Sequence, residues 1–398
     1  MASHRSIEPV RALFVNSGIL GQRTFARFVD DRVVTDRVRV DGAQIVVADD
    51  LTLSERLMRW ALCARVWPDN RAHIRNLDLG RYRADLNAGL VADWRIRRLE
   101  QSGQTFDVLH FHRQTTAYAS LGRMRRTPAI VSIDCTQRGG MGTDRSRLEE
   151  RTYLSSIRRD GEIFDAAKLI IAASQWAADS IREDYPRCAT DVLVLHNPVQ
   201  LDFFDAAWAD ERHRRATASP GYRPRVLFMG GDFARKGGYE LLTAWRDGRF
   251  AERASLDLVT NWPIGREWLA PGIVVHGHVA SHSEAWRRLW READVFALPT
   301  RDEAFGIVFQ EAAAAALPAI GTSINAIPEL VVDGATGILV EPGRPDQIAC
   351  ALHRLVESAD LRRAFGAHAR KRVERSADPD VYRDRLVDTL YSVARLKS

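Results

Sequence analysis

Cysteine is scarce in this chain, and long apolar runs are missing. The four cysteines, Cys63, Cys135, Cys188 and Cys350, lie far apart and form neither a CxxC motif nor the spacing of a zinc site. They argue against a disulfide framework and favour a reducing compartment. No apolar stretch reaches the roughly 18 residues of a transmembrane helix, and the first residues lack the apolar core of a secretory signal. The sequence therefore predicts a cytoplasmic protein.

Lysine is also rare, although the chain is basic. Only four of the 57 basic residues are lysines, and the formal net charge is +5. An arginine excess is typical of a GC-rich coding sequence, and it is also compatible with phosphate-bearing partners, which arginine binds through two hydrogen bonds. Because lysine is so scarce, a lysine inside a loop motif is informative.

Hydropathy patterning indicates two domains of alternating strands and helices. A length of 398 residues is enough for two or three domains. Short apolar runs alternate with helical patterns, which predicts parallel sheets with right-handed crossovers. The pattern occurs twice, so we expect an α/β protein with two Rossmann-like, doubly wound parallel sheets. The predicted strands are Val10–Asn16, Ala43–Ala48, Phe106–His112, Ala129–Asp134, Lys168–Ser174, Asp191–His196, Arg225–Gly230, Ser255–Thr260, Gly272–His276, Asp294–Pro299, Ala319–Thr322 and Gly337–Val340.

The break between the two series lies near residues 200–224. Asn197-Pro198 closes the first series, and the following stretch is polar and then rich in small residues, proline and glycine, which predicts a linker or hinge region. After Asp378, apolar residues recur at helical spacing and predict a terminal helix. The predicted parts are an N-terminal domain over 1–203, a C-terminal domain over 204–377 and a terminal helix over 378–398.

The segment over residues 294–341 carries the richest chemistry. A predicted strand is followed by a loop with Glu303, and Phe305-Gly306 open a helix that includes Glu311. Ligands of open α/β sheets bind at the carboxyl ends of strands, where a helix N-terminus offers unpaired N–H groups to a phosphate. Gly306 permits close backbone approach. Glu311, roughly one and a half turns into the helix, can accept hydrogen bonds from hydroxyl groups.

This segment resembles the donor-site signature of glycosyltransferase family 4, a family of retaining enzymes with the GT-B fold. The resemblance rests on Glu303-x7-Glu311, on Phe305-Gly306, and on the stretches NAIPEL at 325–330, DGATG at 333–337 and HNPV at 196–199. It covers nearly the whole second half of the chain and returns in patches through the first.

The resemblance implies two Rossmann-like domains facing a central cleft, with the terminal helix crossing back to the first domain. It also implies that Glu311 binds the nucleotide ribose and that Glu303 contacts hydroxyls of the donor sugar. The other donor-binding residues that it implies around this helix start are Ala304, Phe305, Gly306 and Ile307.

A second loop, between Gly231 and Gly237, follows a predicted strand and carries two cations. Arg235 and Lys236 beside a glycine-rich turn suit a diphosphate, although a solvated basic loop is the alternative. In the family, a lysine here and an arginine just after the strand hold the donor diphosphate. Lys236 matches the lysine, whereas Gly231 occupies the usual arginine position. Arg235 can supply the second charge from the other side of the turn.

The first half offers weaker candidates. Gly18 and Gly21 flank the turn after the first strand, which lies over the donor in the family; a plain structural turn is the alternative. His110 and His112 share one side of a strand, as core or cleft-lining residues or as a metal pair. Asp134 stands where many family members have a histidine that touches the donor sugar. It can meet an acceptor hydroxyl as a catalytic group, or serve as a cap or turn residue.

Residues 54–100 combine tryptophan with many arginines. A helix here either packs on the sheet or meets an anionic membrane or a large acceptor. The residues that fit one face of this helix are Leu57, Met58, Ala61, Cys63, Ala64 and Trp67.

These patterns predict a retaining glycosyltransferase that moves a sugar from a UDP- or GDP-sugar to an acceptor hydroxyl, with no further cofactor. The one Asp-x-Asp, Asp378-Pro379-Asp380, lies away from any predicted strand end. We therefore expect metal-independent catalysis, in which Lys236, Arg235 and the helix N-terminus balance the charge of the leaving diphosphate.

The family resemblance points to a bacterial cell-surface glycan or glycolipid as acceptor, with peripheral contact at the inner membrane face as an option. A small-molecule acceptor is the alternative. Three other functions compete: a GT-B sugar-nucleotide epimerase, a dinucleotide oxidoreductase and a nucleic-acid-binding protein. The missing G-x-G-x-x-G argues against the second. The lack of a recognised motif argues against the third, so we expect no nucleic-acid partner.

Overall fold

Parallel strands build both halves of the protein in the computed structural model. The described part of the chain contains two sheets of six strands each, and it divides into two compact units. Unit 1 contains the residues up to Asn197 and those from Asp380 onward, and unit 2 runs from Pro198 to Pro379. The structure describes residues 9–18, 22–33, 40–64, 79–141 and 147–396, and the predicted positions Gly21 and Trp67 lie outside these ranges.

The sheet of unit 1 has the strand order β2-β1-β3-β4-β5-β6. Its strands are β1 (Val10–Asn16), β2 (Val40–Val46), β3 (Val108–His112), β4 (Ala129–Ile133), β5 (Leu169–Ala172) and β6 (Val192–Val194). Its helices are α1 (Gln22–Phe28), α2 (Leu53–Cys63), α3 (Gly80–Gln101), α4 (Leu121–Met124), α5 (Arg147–Ala166), α6 (Gln175–Asp184) and α14 (Pro379–Arg395).

Helices cover both faces of this sheet, because its strands contribute buried side chains to two separate cores. Along β1, Leu13 and Val15 join one core with α3, α5 and α6, whereas Ala12 and Phe14 join a second core. The second core contains α1 and the terminal helix α14, whose Leu386 is fully buried there. Buried residues of α14 as far as Val393 thus belong to the core of unit 1.

The sheet of unit 2 has the order β12-β11-β10-β7-β8-β9. Its strands are β7 (Arg225–Met229), β8 (Ser255–Val259), β9 (Ile273–His276), β10 (Val295–Ala297), β11 (Ala319–Thr322) and β12 (Gly337–Val340). Its helices are α7 (Trp208–Ala218), α8 (Gly238–Asp247), α9 (Glu284–Glu292), α10 (Ile307–Ala314), α11 (Ile327–Leu330), α12 (Pro345–Glu357) and α13 (Ala359–Ser376).

The order of strands in unit 2 reverses direction between β7 and β10. From β7 the chain adds β8 and β9 on one side, then returns to add β10, β11 and β12 on the other. Loops leaving two such neighbouring strands diverge to opposite faces and leave a crevice at their carboxyl ends. We call this place the switch point, and both loops that the sequence singled out in this half begin there.

The predicted fold class, two doubly wound parallel sheets, is confirmed, and all twelve predicted strands are present. The largest difference among them is β2, which begins at Val40 rather than at Ala43. The predicted linker is wrong, because part of the 200–224 stretch forms helix α7. Trp208 and Arg212 are buried on that helix. Only two side chains anchor the helix. The rest of its sequence is polar, and a polar sequence is also typical of a linker.

The described helices include none that is both long enough and apolar enough to span a bilayer.

Candidate active site

Two loops of unit 2 are bonded to each other at the switch point. The first follows β7 and carries Arg235, and the second follows β10 and carries Thr300, Arg301 and Asp302. The Arg301 N–H and the Thr300 hydroxyl both donate to the Arg235 carbonyl, at 2.8 and 3.1 Å. The Arg235 guanidinium donates to the Asp302 carbonyl at 2.6 Å. Residues far apart in the sequence therefore form one surface at the carboxyl ends of β7 and β10.

Glycine makes the closest approach between these loops possible. Gly237 has a φ of +74°, and a Cβ there would lie 1.9 Å from the carbonyl oxygen of Pro299. An L-amino acid would suffer both a strained backbone and a collision with main-chain atoms. Gly231, at the start of the same loop, is exposed, and a Cβ added there would meet no atom within 4 Å, so its surroundings are open.

An ion pair between Lys236 and Glu303 lies across the two loops. Their side chains are only 13% and 17% exposed. Desolvation, together with the nearby Arg235 charge, lowers the pKa of Lys236 to about 8. The ammonium group is therefore mostly protonated at neutral pH and is little screened by water. Asn325 holds the other side of the pair by donating to the Glu303 carbonyl at 3.0 Å.

Helix α10 begins beside this ion pair without a side-chain cap. Gly306 precedes it with a φ of +87° and makes no side-chain capping bond. A Cβ on Gly306 would lie 2.9 Å from a Phe309 ring atom and 3.2 Å from the Glu303 side chain. The uncapped N–H groups and the positive end of the helix dipole suit an anionic group. Ala304 and Ile307 border this helix start and are partly exposed, whereas Phe305 is buried and anchors the loop.

Glu311 lies one turn after the first residue of α10 and is half-buried. Burial raises the pKa of its carboxyl group to about 8. No residue in the described ranges donates a hydrogen bond to this carboxyl group. A carboxyl group that has lost much of its hydration without gaining a partner is suited to a ligand that brings hydroxyl groups.

Asp134 and Gly18 belong to unit 1, whereas the other predicted site residues belong to unit 2. Asp134 follows β4 and accepts a hydrogen bond from the Asn197 side chain at 3.2 Å. Burial raises the pKa of Asp134. Gly18 follows β1 with a φ of +72°, and a Cβ there would lie 2.5 Å from a Val46 methyl group. The turn after β1 therefore needs glycine for packing against β2.

The two histidines of β3 are core residues. His110 shares a hydrogen bond of 2.7 Å between its Nε2 atom and the Ser132 hydroxyl. His112 stacks on Phe25, with ring centroids 3.7 Å apart. Desolvation lowers the pKa of each histidine to about 3, so both are neutral. The described residues contain no group of three or more side chains placed to hold a metal ion.

The structure adds supporting residues that sequence reasoning missed. Thr322 donates to the Thr300 carbonyl at 2.8 Å, and Arg301 pairs with the buried Glu240. Asn325, which supports Glu303, has a φ of +48°. Its place at the start of the stretch NAIPEL was a usable signal, since asparagine tolerates the left-handed conformation. Thr322 and Glu240 lack any such signal, because their partners are distant in the sequence.

Two family models match the two halves of the chain. Residues 223–358 match the model described as Glycosyl transferases group 1, and residues 54–203 match the model described as Glycosyltransferase Family 4. An uncharacterized glycosyltransferase of Methanocaldococcus jannaschii is 25% identical over 286 residues, which are 67% of this chain and 70% of that protein. A capsular polysaccharide biosynthesis glycosyltransferase of Staphylococcus aureus is 36% identical over 104 residues, which are 26% of each chain.

A solved structure has the same fold over nearly the whole chain. Anabaena HepE, crystallised in complex with UDP-glucose, has a TM-score of 0.65 and 16% identity, over 96% of this chain and 100% of that chain. The fold, the switch-point loops and the family models that match both halves all point to the same class of enzyme. The chain is therefore a glycosyltransferase of the family 4 type with the GT-B fold.

Proposed function

We propose that this protein is a retaining, metal-independent glycosyltransferase whose donor diphosphate binds at the switch point of unit 2. The observation that carries the proposal is the buried Lys236–Glu303 pair beside the uncapped start of α10. Cations at one side and helix N–H groups at the other suit a diphosphate. Glu303 then faces hydroxyls of the donor sugar, and Glu311 accepts those of the ribose.

The chemical step breaks the bond between the anomeric carbon and the diphosphate oxygen. Negative charge gathers on that oxygen, and groups already aimed at it lower the barrier because they need no reorganisation. Lys236, Arg235 and the N–H groups of α10 fill this role. The acceptor hydroxyl oxygen bonds to the anomeric carbon from the face that the diphosphate leaves, so the anomeric configuration is retained, and the hydroxyl proton passes to the departing diphosphate oxygen. Asp134 is our candidate for the residue that contacts the acceptor hydroxyl.

We infer a UDP- or GDP-sugar as donor and a bacterial cell-surface glycan or glycolipid as acceptor. The donor class is supported by the UDP-glucose complex of the similar Anabaena structure. The acceptor class is supported by the similarity to a capsular polysaccharide biosynthesis enzyme. Such an acceptor fits a cytoplasmic enzyme with peripheral contact at the inner membrane face.

Thermal unfolding with UDP, GDP, ADP and dTDP tests the donor site. A nucleotide at about 100 times its Kd adds roughly 2.7 kcal/mol of stability, enough to resolve in a melting curve. We expect one nucleotide to raise the Tm of the wild type and to lose that effect in Glu311→Ala. Glu252→Gln is the control, because Glu252 is exposed and lies before β8, at the amino ends of the strands and not at their carboxyl ends.

Failure of all four nucleotides to shift the Tm contradicts the donor site. Turnover of a sugar nucleotide without an acceptor, into an epimer rather than a transferred sugar, contradicts the transfer reaction. Analysis of the anomeric proton coupling in the product tests retention directly, and full activity in the presence of EDTA tests metal independence.

A further inference from the structure

Helix α2 in unit 1 presents its apolar stripe to solvent. Leu53, Leu57 and Trp60 follow one another at spacings of four and three, so they share one face of the helix. Their exposed fractions are 74%, 58% and 74%. Single exposed leucines are ordinary, but three large apolar side chains aligned on one short helix form a continuous patch.

The opposite face of α2 holds the helix firmly in this orientation. Glu55 is buried, and its carboxylate pairs with Arg95 of α3 at 2.8 Å and caps the helix start together with Thr52. The Arg95 hydrogen bond lowers the pKa of Glu55 to about 2. At the other end, Arg83 of α3 donates to the carbonyls of Leu62 and Ala64, at 2.7 and 2.9 Å. The stripe is therefore held outward at both ends.

The exposed charged side chains of α2 itself are cationic, whereas the exposed Asp50 lies just before the helix. Arg56 and Arg59 of α2 are exposed, and Arg98 of α3 is exposed beside Trp94, which is itself 37% exposed. None of these three arginines has a carboxylate partner among the described residues. The acidic residue of α2, Glu55, faces inward and is already paired. Apolar side chains and a tryptophan next to unpaired arginines are the composition of a helix that lies in an anionic membrane interface.

We propose that α2, with the adjoining surface of α3, docks this protein on anionic phospholipid bilayers. Leu53, Leu57 and Trp60 insert among the lipid headgroups, and the arginines contact lipid phosphates. A helix of 11 residues with three inserting side chains gives weak, reversible attachment. The inference gives the proposed peripheral contact a surface and a lipid class, and it does not depend on sugar transfer.

Vesicle co-sedimentation of the full chain tests the docking surface. We expect wild type to bind vesicles of phosphatidylcholine mixed with phosphatidylglycerol, to bind phosphatidylcholine alone poorly, and to dissociate as salt rises. The double variant Leu57→Ser/Trp60→Ser should bind at least about tenfold more weakly. Arg56→Gln/Arg59→Gln should weaken binding to the anionic vesicles selectively. Leu154→Ser is the matched control, because Leu154 of α5 is 57% exposed.

The Tm and its nucleotide-induced shift should be unchanged in all variants, since the substituted side chains are exposed. Equal binding of wild type to both vesicle types overturns the proposal. Undiminished binding of Leu57→Ser/Trp60→Ser also overturns it. A third contrary result is concentration-dependent dimerisation that this variant abolishes, in a protein that does not bind vesicles. That result assigns the stripe to a second copy of the chain instead.

Discussion

Lys236 and Glu303 are 67 residues apart in the sequence, yet their side chains form an ion pair at the switch point of unit 2. Each residue follows a different central strand, and the strand order alone makes those two strands neighbours. A buried ion pair loses much of its Coulomb energy to desolvation and is weak evidence for a stabilising role. We therefore attribute the pair to ligand binding, in which both charges gain new partners.

Removing either member of this pair should reduce transfer. We expect Lys236→Ala and Glu303→Gln each to lower kcat/KM by about 100-fold or more, as when a group that stabilises transition-state charge is lost. The double variant should lose much less than the product of the two effects, because the residues contact each other. Initial rates at saturating acceptor check this. Near wild-type turnover by Lys236→Ala contradicts the assignment of Lys236 to the leaving diphosphate.

Donor affinity should fall in alkaline solution. The pKa of Lys236 is lowered to about 8, so most of its charge is present at pH 7 and most is lost at pH 9. If only the ammonium form binds the diphosphate, the apparent Kd should rise by up to about tenfold over that interval. Calorimetric titration with the nucleotide found by thermal unfolding measures it. In Lys236→Arg the apparent Kd should depend little on pH, because arginine stays charged. A wild-type Kd that does not change between pH 7 and pH 9 contradicts the proposal.

The stability contribution of Glu311 should depend on pH in a defined direction. Its pKa is raised from 4.5 to about 8 in the folded protein, so folding favours the protonated form. Its contribution to stability is present below pH 4.5 and is lost as pH rises through 8. Glu311→Gln should therefore match the wild-type Tm near pH 5 and exceed it by several degrees near pH 9. A Tm difference that does not change with pH contradicts the buried environment of this carboxyl group.

Gly237 and Gly231 lie in one loop, but only Gly237 should be sensitive to substitution by alanine. Gly237→Ala places a Cβ 1.9 Å from the Pro299 carbonyl oxygen at a φ of +74°, so we expect a loss of at least about 2 kcal/mol. Gly231→Ala meets open space and should change stability by less than about 0.5 kcal/mol. Denaturant unfolding of the two variants measures the contrast. Equal stabilities contradict the close approach of the loops.

A substitution at Gly231 should strengthen the binding of a nucleotide diphosphate. The family resemblance implies an arginine at this position, and the space around Gly231 is open enough to receive one. Gly231→Arg should tighten nucleotide diphosphate binding by about tenfold, since a hydrogen bond to a charged group is worth at least about 1.5 kcal/mol. Comparison with Gly231→Gln separates charge from size. Weaker binding by the arginine variant than by wild type places the diphosphate elsewhere.

Much of the site could be predicted from the sequence because its residues come in short local motifs. Lys236 stands out among few lysines, and Glu303, Gly306 and Glu311 lie within nine residues of one another. Their positions follow from local rules: a strand, a loop with glycine, then a helix start. Asn325 and Thr322 were missed, because their contacts with Glu303 and Thr300 depend on the packing of separate strands.

The sequence by itself determined the alternation of strands and helices, the two sheets and the two loops with their charged residues. These features depend on hydropathy period and on local backbone preferences, which a linear pattern records. The tertiary structure alone decided that α7 is a helix rather than a linker. It also decided that Lys236 pairs with Glu303, that Glu311 is desolvated, and that α2 turns Leu57 and Trp60 outward. Burial and pairing depend on what the other elements cover, and one segment read alone does not specify its neighbours.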